Sequence, residues 1–419
     1  MFTSTVRVLS VSAWLALAGI LISAPAAAQF AFNEDDAGPN FGEDGVQLDF
    51  GRAVAIRNGV AFVGIPDRPS PPSGRVAVFN QTATGWVRAQ TLLAPVSGQK
   101  FGRRVTFRDG VVVVGSLTAA YVYKRSNGVW VLRQTLRPPA ADGVSEFPVA
   151  LRYEAGTLLA SAYRGSLNSL VYVYELDATG KFLQRAQLKP LDPRPGDNFG
   201  RSLSMTDTTL VIGSPSDGQR GLQFNIPTYN QGAGAAYIFK RNSRGNWVQT
   251  QKLEPVQPAP GFGLCVAIDQ GMIVVGAPGD DVETEFDTPD FHWAGGGAYV
   301  YLPTAGRYLE TFRLRPTVED EFAFLEFGFQ VAMFGSHIAI TAVEPYGFID
   351  AFPRGFVFVY ERDGSSLPLL KGSRGSHLSS SSMALFNNLL MIGSVGSDSR
   401  CIFGCDGNVI LYHVDQLGQ

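Results

Sequence analysis

The chain has 419 residues, 45% hydrophobic and 17% charged, with a formal net charge of −3. That hydrophobic fraction excludes intrinsic disorder, and the charge balance excludes the basic stripe a nucleic-acid surface needs. Three cysteines exclude a disulfide scaffold, while 47 glycines and 25 prolines favour many turns over long helices.

Residues 1–28 read as a cleavable export signal: Arg7, an apolar stretch over 8–22, and the small-residue site Ala26-Ala27-Ala28. The apolar run is short of the roughly 20 residues needed to cross a bilayer. The expectation is a secreted or periplasmic protein, cut after Ala28, with no transmembrane segment in the mature chain. Residues 29–49 precede the first repeat, and residues 50–419 form one repetitive domain.

Fifteen-residue windows starting at Phe50, Phe101, Phe147, Phe199, Phe262, Phe327 and Ser379 align without a gap. Four of them read FGRAVAIRNGVAFVG, FGRRVTFRDGVVVVG, FGRSLSMTDTTLVIG and FGLCVAIDQGMIVVG. Apolar residues recur two apart, as in Val54 and Ile56 or Val105 and Phe107, which is the signal of a half-buried strand. Turn residues such as Asn58-Gly59 and Asp109-Gly110 join it to a second, continuously apolar strand in a tight hairpin. Small residues such as Ala55, Ser204, Ala267, Ala332 and Ala384 suit a crowded inner strand. A third strand alternates aromatic and aliphatic residues, for example around Tyr121 and Tyr123. A fourth carries an aromatic, a glutamine and a leucine: Trp86, Gln90, Leu92; Trp130, Gln134, Leu136; Trp247, Gln251, Leu253. Its aromatics are expected between blades, near the outer rim. In the sixth copy this strand is expected, poorly formed, over residues 366–370.

Four antiparallel strands repeated seven times give the fold class: all-β, a seven-bladed β-propeller of four-stranded antiparallel blades. The seventh copy lacks a fourth strand after residues 409–412, which would leave an aromatic-rich edge open. The expectation is that the N-terminal segment supplies it and closes the ring, with Phe30, Phe32 and Phe41 as candidate inward residues.

The phrases FGRAVAI…VGIPD, FGRSLSM…IGSPSDG and FGLCVAI…VGAPGDD, followed by G-A-Y-V-Y, resemble FG-GAP repeats, the propeller repeats of integrin α-subunit heads and of many bacterial exported proteins. The Trp-x3-Gln-x-Leu strand looks most like the bacterial branch. The resemblance implies a binding propeller. Several integrin blades carry a calcium loop in the first hairpin, but none of the seven hairpins here supplies more than one acid. Calcium needs six to eight oxygens. No metal and no cofactor are therefore expected.

The connections from second to third strand are longest in the fourth and fifth repeats, and in a propeller they open on one face together with the links between blades. The fifth-repeat loop gathers Asp280, Asp281, Glu283, Asp287, Asp290, His292 and Trp293, and the adjoining loop adds Phe224 and Tyr229. Acids interleaved with aromatics suit a sugar, a cation or a basic peptide. The same residues also suit a solvated acidic loop packed on its neighbour. The expected role is a non-enzymatic recognition scaffold for a protein or carbohydrate, with no nucleic-acid partner. The alternative is an extracytoplasmic hydrolase or lyase using these acids. No nucleophile elbow or metal-spaced histidine pair favours an enzyme. Cys401 and Cys405 are close enough in sequence to pair as a disulfide, and Cys265 lies within a strand and reads as core.

Overall fold

The computed structural model describes residues 30–32, 50–66, 74–165, 169–217, 233–257, 259–280, 295–316, 326–343, 355–367, 370–371, 382–394 and 408–414. Seven antiparallel sheets of four strands each follow the repeats, and within each the strands lie side by side in chain order, apart from the outer strand of the seventh. The innermost strands are Ala53–Arg57, Arg104–Arg108, Leu151–Glu154, Ser202–Met205, Cys265–Asp269, Gln330–Phe334 and Ser382–Phe386. Together they ring a central channel.

The expected hairpins are present. Arg57 pairs with Val60 and Arg108 with Val111, leaving two-residue turns. Both turn residues have positive φ, 48° and 70° at Asn58-Gly59, the type I′ geometry that matches strand twist. A turn of two residues offers no series of carboxylates to a cation. The second strands are buried along their length apart from some end residues, and Val111–Gly115 and Thr157–Ala162 are buried throughout.

The FG dipeptide does two jobs. Its phenylalanine is buried edge-on against the aromatic of its own third strand: Phe101 lies 5.5 Å from Tyr121 and Phe262 5.2 Å from Tyr299. Its glycine lets main chain meet main chain between blades. A Cβ on Gly263 (φ 90°) would sit 2.2 Å from the Ala235 carbonyl oxygen of the preceding blade. A Cβ on Gly213, at the end of that blade's second strand, would sit 2.0 Å from the Gly263 oxygen.

The same contact joins the last blade to the first. A Cβ on Gly393 would lie 2.0 Å from the Gly51 oxygen, and Ser382 Oγ donates to that oxygen at 3.0 Å, as Ser202 Oγ does to the Gly263 oxygen at 2.9 Å. Phe50, Val54, Met391 and Val409 share one core across this seam, and Arg57 stacks 4.5 Å over the Phe386 ring. In the seventh sheet Phe30–Phe32 runs antiparallel outside Asn408–His413, with Phe30 opposite Leu411 and Phe32 opposite Val409. Phe41, the export signal, Cys401 and Cys405 lie outside the described residues.

Two readings of the fourth strand need correction. In the sixth blade the paired residues are Leu370–Lys371, opposite Phe356 and Val357, while Ser366 makes only an isolated bridge to Tyr360. Pro368 interrupts the expected stretch, and proline has no N–H to give a ladder. The fourth-strand aromatics also reach further in than the rim. The Trp130 ring lies 5.1 Å from Phe62 and 5.6 Å from Phe107, an innermost-strand residue, and is only 6% exposed. An indole left at the rim would stay wet. Folded inward, it fills the wedge between blades.

The fourth-strand glutamine is the second link between blades. Gln134 Nε2 donates to the Phe182 carbonyl at 2.8 Å, and its Oε1 accepts from the Phe182 N–H at 2.8 Å. Gln90 clasps Trp130 and Gln251 clasps Tyr308 in the same way. A side-chain amide thus completes both main-chain bonds of the next blade's outer strand. Gln134→Ala leaves two half-buried backbone groups unpaired and should cost about 2 kcal/mol in urea unfolding. Gln134→Glu retains only an acceptor and should recover little of it.

Candidate functional site

The innermost strand of a blade has one edge with no neighbouring strand, so its N–H groups need other partners. Small hydroxyls supply some. Thr106 Oγ1 accepts from Tyr153 N at 3.2 Å and Ser204 Oγ from Ile268 N at 3.0 Å, each reaching the innermost strand of the next blade. Thr106 and Ser204 occupy the column of small residues. The third repeat places Arg152 in that column instead.

The channel has a volume of about 1010 Å³ and carries seven arginines against three acids, Glu154, Asp207 and Asp269. The whole chain is net negative, so this excess is local. At the hairpin end Arg57, Arg108 and Arg152 surround Glu154. Arg108 pairs with Glu154, Arg152 Nη2 stands 3.6 Å from Glu154 Oε2, and Arg152 Nε is buried with no hydrogen-bond partner. The Arg152 side chain is still 40% exposed, because it projects into the channel. Burial pulls the Arg57 and Arg152 guanidiniums below their ordinary pKa and pushes the Glu154 carboxyl above its own.

At the opposite end, where the blade-to-blade links arrive, stand Arg52, Arg103, Arg104 and Arg201. They line a side pocket of about 340 Å³ that opens onto the channel mouth, with Glu146, Tyr163 and Asn198 also in its wall. Arg103 Nη2 pairs with Glu146 Oε1 at 2.6 Å, and Arg103 Nη1 is buried with no hydrogen-bond partner. Arg104 Nε donates to the Val149 carbonyl at 2.5 Å. Burial, then the neighbouring Arg103, Arg201 and Arg52, bring the Arg104 guanidinium down to about 9.

Of the loop residues anticipated as ligand-binding, Asp280 falls in the described part. It is 5% exposed and its Oδ2 pairs with Arg315 Nη2 at 2.9 Å, beside the Tyr299 hydroxyl. Its carbonyl accepts from Gly296 N at 3.1 Å, which clamps the base of the connection. Asp217 repeats this one blade earlier: its carboxylate accepts from the Tyr237 hydroxyl and pairs with Lys252 at 2.9 Å, and its carbonyl accepts from Gly234 N at 3.1 Å. The carboxylates' visible partners are therefore structural. Asp281, Glu283, Asp287, Asp290, His292, Trp293, Phe224 and Tyr229 lie outside the described residues. Cys265 is core, as expected: its thiol donates to the Gly328 carbonyl at 3.1 Å, and burial pushes its pKa up to about 12.

Sequence reasoning missed the arginines. Two signals were available: Arg at the third position of the windows at Phe50, Phe101 and Phe199, and Arg152 standing in a column of small side chains.

Beside the fourth-blade clamp, Asp197 is 4% exposed and accepts from Arg194 N at 3.1 Å. Burial first, and the adjacent Asp217 second, push its carboxyl up to about 6. An acid whose pKa rises on folding is bound to a proton more fully in the native state between about 4 and 6, so stability from this group falls as pH rises through that window. Asp197→Asn keeps an acceptor for Arg194 and removes the charge. It should stabilise the protein by roughly 1–2 kcal/mol at pH 7.5, from ~1.4 kcal/mol per unit discounted for nearby water, and by almost nothing near pH 4. Urea unfolding at the two pH values measures this; equal effects at both would contradict it.

The FG-GAP repeat family matches residues 182–239 and 247–301. Each matched stretch begins on a fourth strand, Phe182–Leu188 or Trp247–Leu253, and ends on the third strand of the next blade, Ala235–Arg241 or Gly297–Thr304. No curated protein matches the chain.

Proposed function

Because this chain is an FG-GAP repeat-containing β-propeller protein, we propose that it is an exported, non-enzymatic recognition scaffold that binds a protein or carbohydrate through one face. That face is the one bearing the links between blades and the connections from second to third strands. The observation that carries the reading is the pair of matched clamps at Asp217–Gly234 and Asp280–Gly296. Each fixes the two ends of a long connection to a rigid sheet, which is how binding loops are displayed on a stable frame. The signal pattern of residues 1–28 supports export. The pairing of Phe30–Phe32 with Asn408–His413 supports a latch role for the N-terminal segment.

Screening the protein against glycan and cell-surface protein arrays tests the reading. Saturable binding, lost when residues 281–294 are replaced by a glycine-serine linker, is the expected result. Turnover of a bound glycan or peptide, abolished by Asp281→Asn or Asp287→Asn, would instead establish a hydrolase or lyase.

A further inference from the structure

We propose that the pocket at the channel mouth is an oxyanion site, formed by Arg52, Arg103, Arg104 and Arg201, that takes the phosphate, sulfate or carboxylate group of a small ligand. The inference deepens the scaffold reading, since this mouth opens on the same face as the long connections.

Three observations support it. First, cations outnumber acids: among the described residues the pocket wall holds four arginines and one acid, Glu146, which is engaged by Arg103. Four guanidiniums in one partly enclosed space repel each other, and an anion among them would reverse that repulsion. Second, donors are spare. Arg103 Nη1 is buried with no hydrogen-bond partner, a position that costs free energy unless something accepts from it. Third, the cluster is held in place. Arg104 is pinned through Nε to the Val149 carbonyl and through Nη1 to the Arg103 carbonyl at 2.8 Å, so its fork is oriented before any ligand arrives. Arginine matches planar carboxylates and tetrahedral oxyanions with paired N–H bonds, which a lysine cluster would not do. The volume of about 340 Å³ is at the small end for a ligand pocket. It suits one sugar-sized anion and excludes a folded domain. Tyr163, 38% exposed in the wall, offers a ring face for the uncharged part of such a ligand.

Isothermal titration at constant ionic strength with inorganic phosphate, sulfate, D-glucuronate and neutral glucose tests this. At least one anion should bind saturably at one site per chain, glucose should not, and added salt should weaken the binding. The choice among the three anions identifies the group preferred. The double variant Arg52→Gln, Arg201→Gln should lose at least tenfold in affinity, while Arg185→Gln and Arg307→Gln, exposed on outer strands, should not. A readout on the unaltered protein guards against misfolding: the bound anion should protect Arg52 and Arg201 from phenylglyoxal, followed by peptide mass spectrometry. No saturable anion binding, or equal modification with and without anion, would overturn the site. Array binding by a protein that binds none of the anions would overturn the pocket and leave the loop face intact. Anion binding without any array partner would sustain the pocket and count against the wider scaffold reading.

Discussion

A chain lacking residues 29–42 should unfold about 3 kcal/mol more easily and expose apolar surface. Phe30–Phe32 is paired with Asn408–His413 over three residue positions, so the truncation removes a few backbone bonds worth roughly 1 kcal/mol each net. It also uncovers the edge of a strand whose Val409 and Leu411 are buried against the first blade. An open edge of this kind recruits other chains, so the truncated protein should also aggregate at concentrations where the parent does not. Hydrogen exchange gives the sharper test. In the parent, amides 409–412 should exchange with the slow core; after truncation they should exchange fast while the second blade stays protected. A truncated chain with the parent's unfolding midpoint and protected 409–412 amides would remove the latch from the account.

The second large effect is expected at the glycines between blades. Gly263→Ala puts a methyl group 2.2 Å from a main-chain oxygen at a positive φ, and neither neighbour is the end of a flexible side chain. Relief requires two blades to move apart, at a cost expected to exceed about 3 kcal/mol, beyond ordinary overpacking. Gly110→Ala is the control. Its φ is also positive, 71°, but a Cβ there meets nothing within 4 Å. It should cost only the backbone strain, about 1 kcal/mol. Equal urea midpoints for the two variants would mean that the FG glycine serves only its own turn and not the contact between blades.

These glycines show how far the sequence could be read. The repeat, the two-residue hairpins and the strand order all follow from local spacing, because each blade repeats one pattern of apolar columns and turn residues. The aligned windows revealed that glycine recurs after phenylalanine and at the end of the second strand. They could not show that the two glycines of successive blades touch, since that contact lies between units. The same holds for Gln134. Its recurrence was visible, but its partner, the Phe182 backbone, has no side-chain signature at all. Asp280 was read as one acid of an acidic loop. Its equivalence to Asp217, with a tyrosine on the third strand and a cation on or just past the fourth, is what marks it as a clamp. The channel arginines escaped for another reason. Arg52, Arg103 and Arg201 do share a column and Arg57 and Arg108 another, but an arginine in a strand pattern reads as a solvated position, and only ring closure turns those columns toward one channel.

The matched stretches 182–239 and 247–301 each start one strand before a blade begins. The stretch that the family match delimits is thus out of phase with the blade: it contributes the outer wall of one blade and three inner strands of the next. Like overlapping shingles, consecutive units cannot be separated without tearing a sheet, and a duplicated unit inserts without leaving a seam. New chain ends cut between any third and fourth strand would reproduce the arrangement already present where Phe30–Phe32 lies outside Asn408–His413.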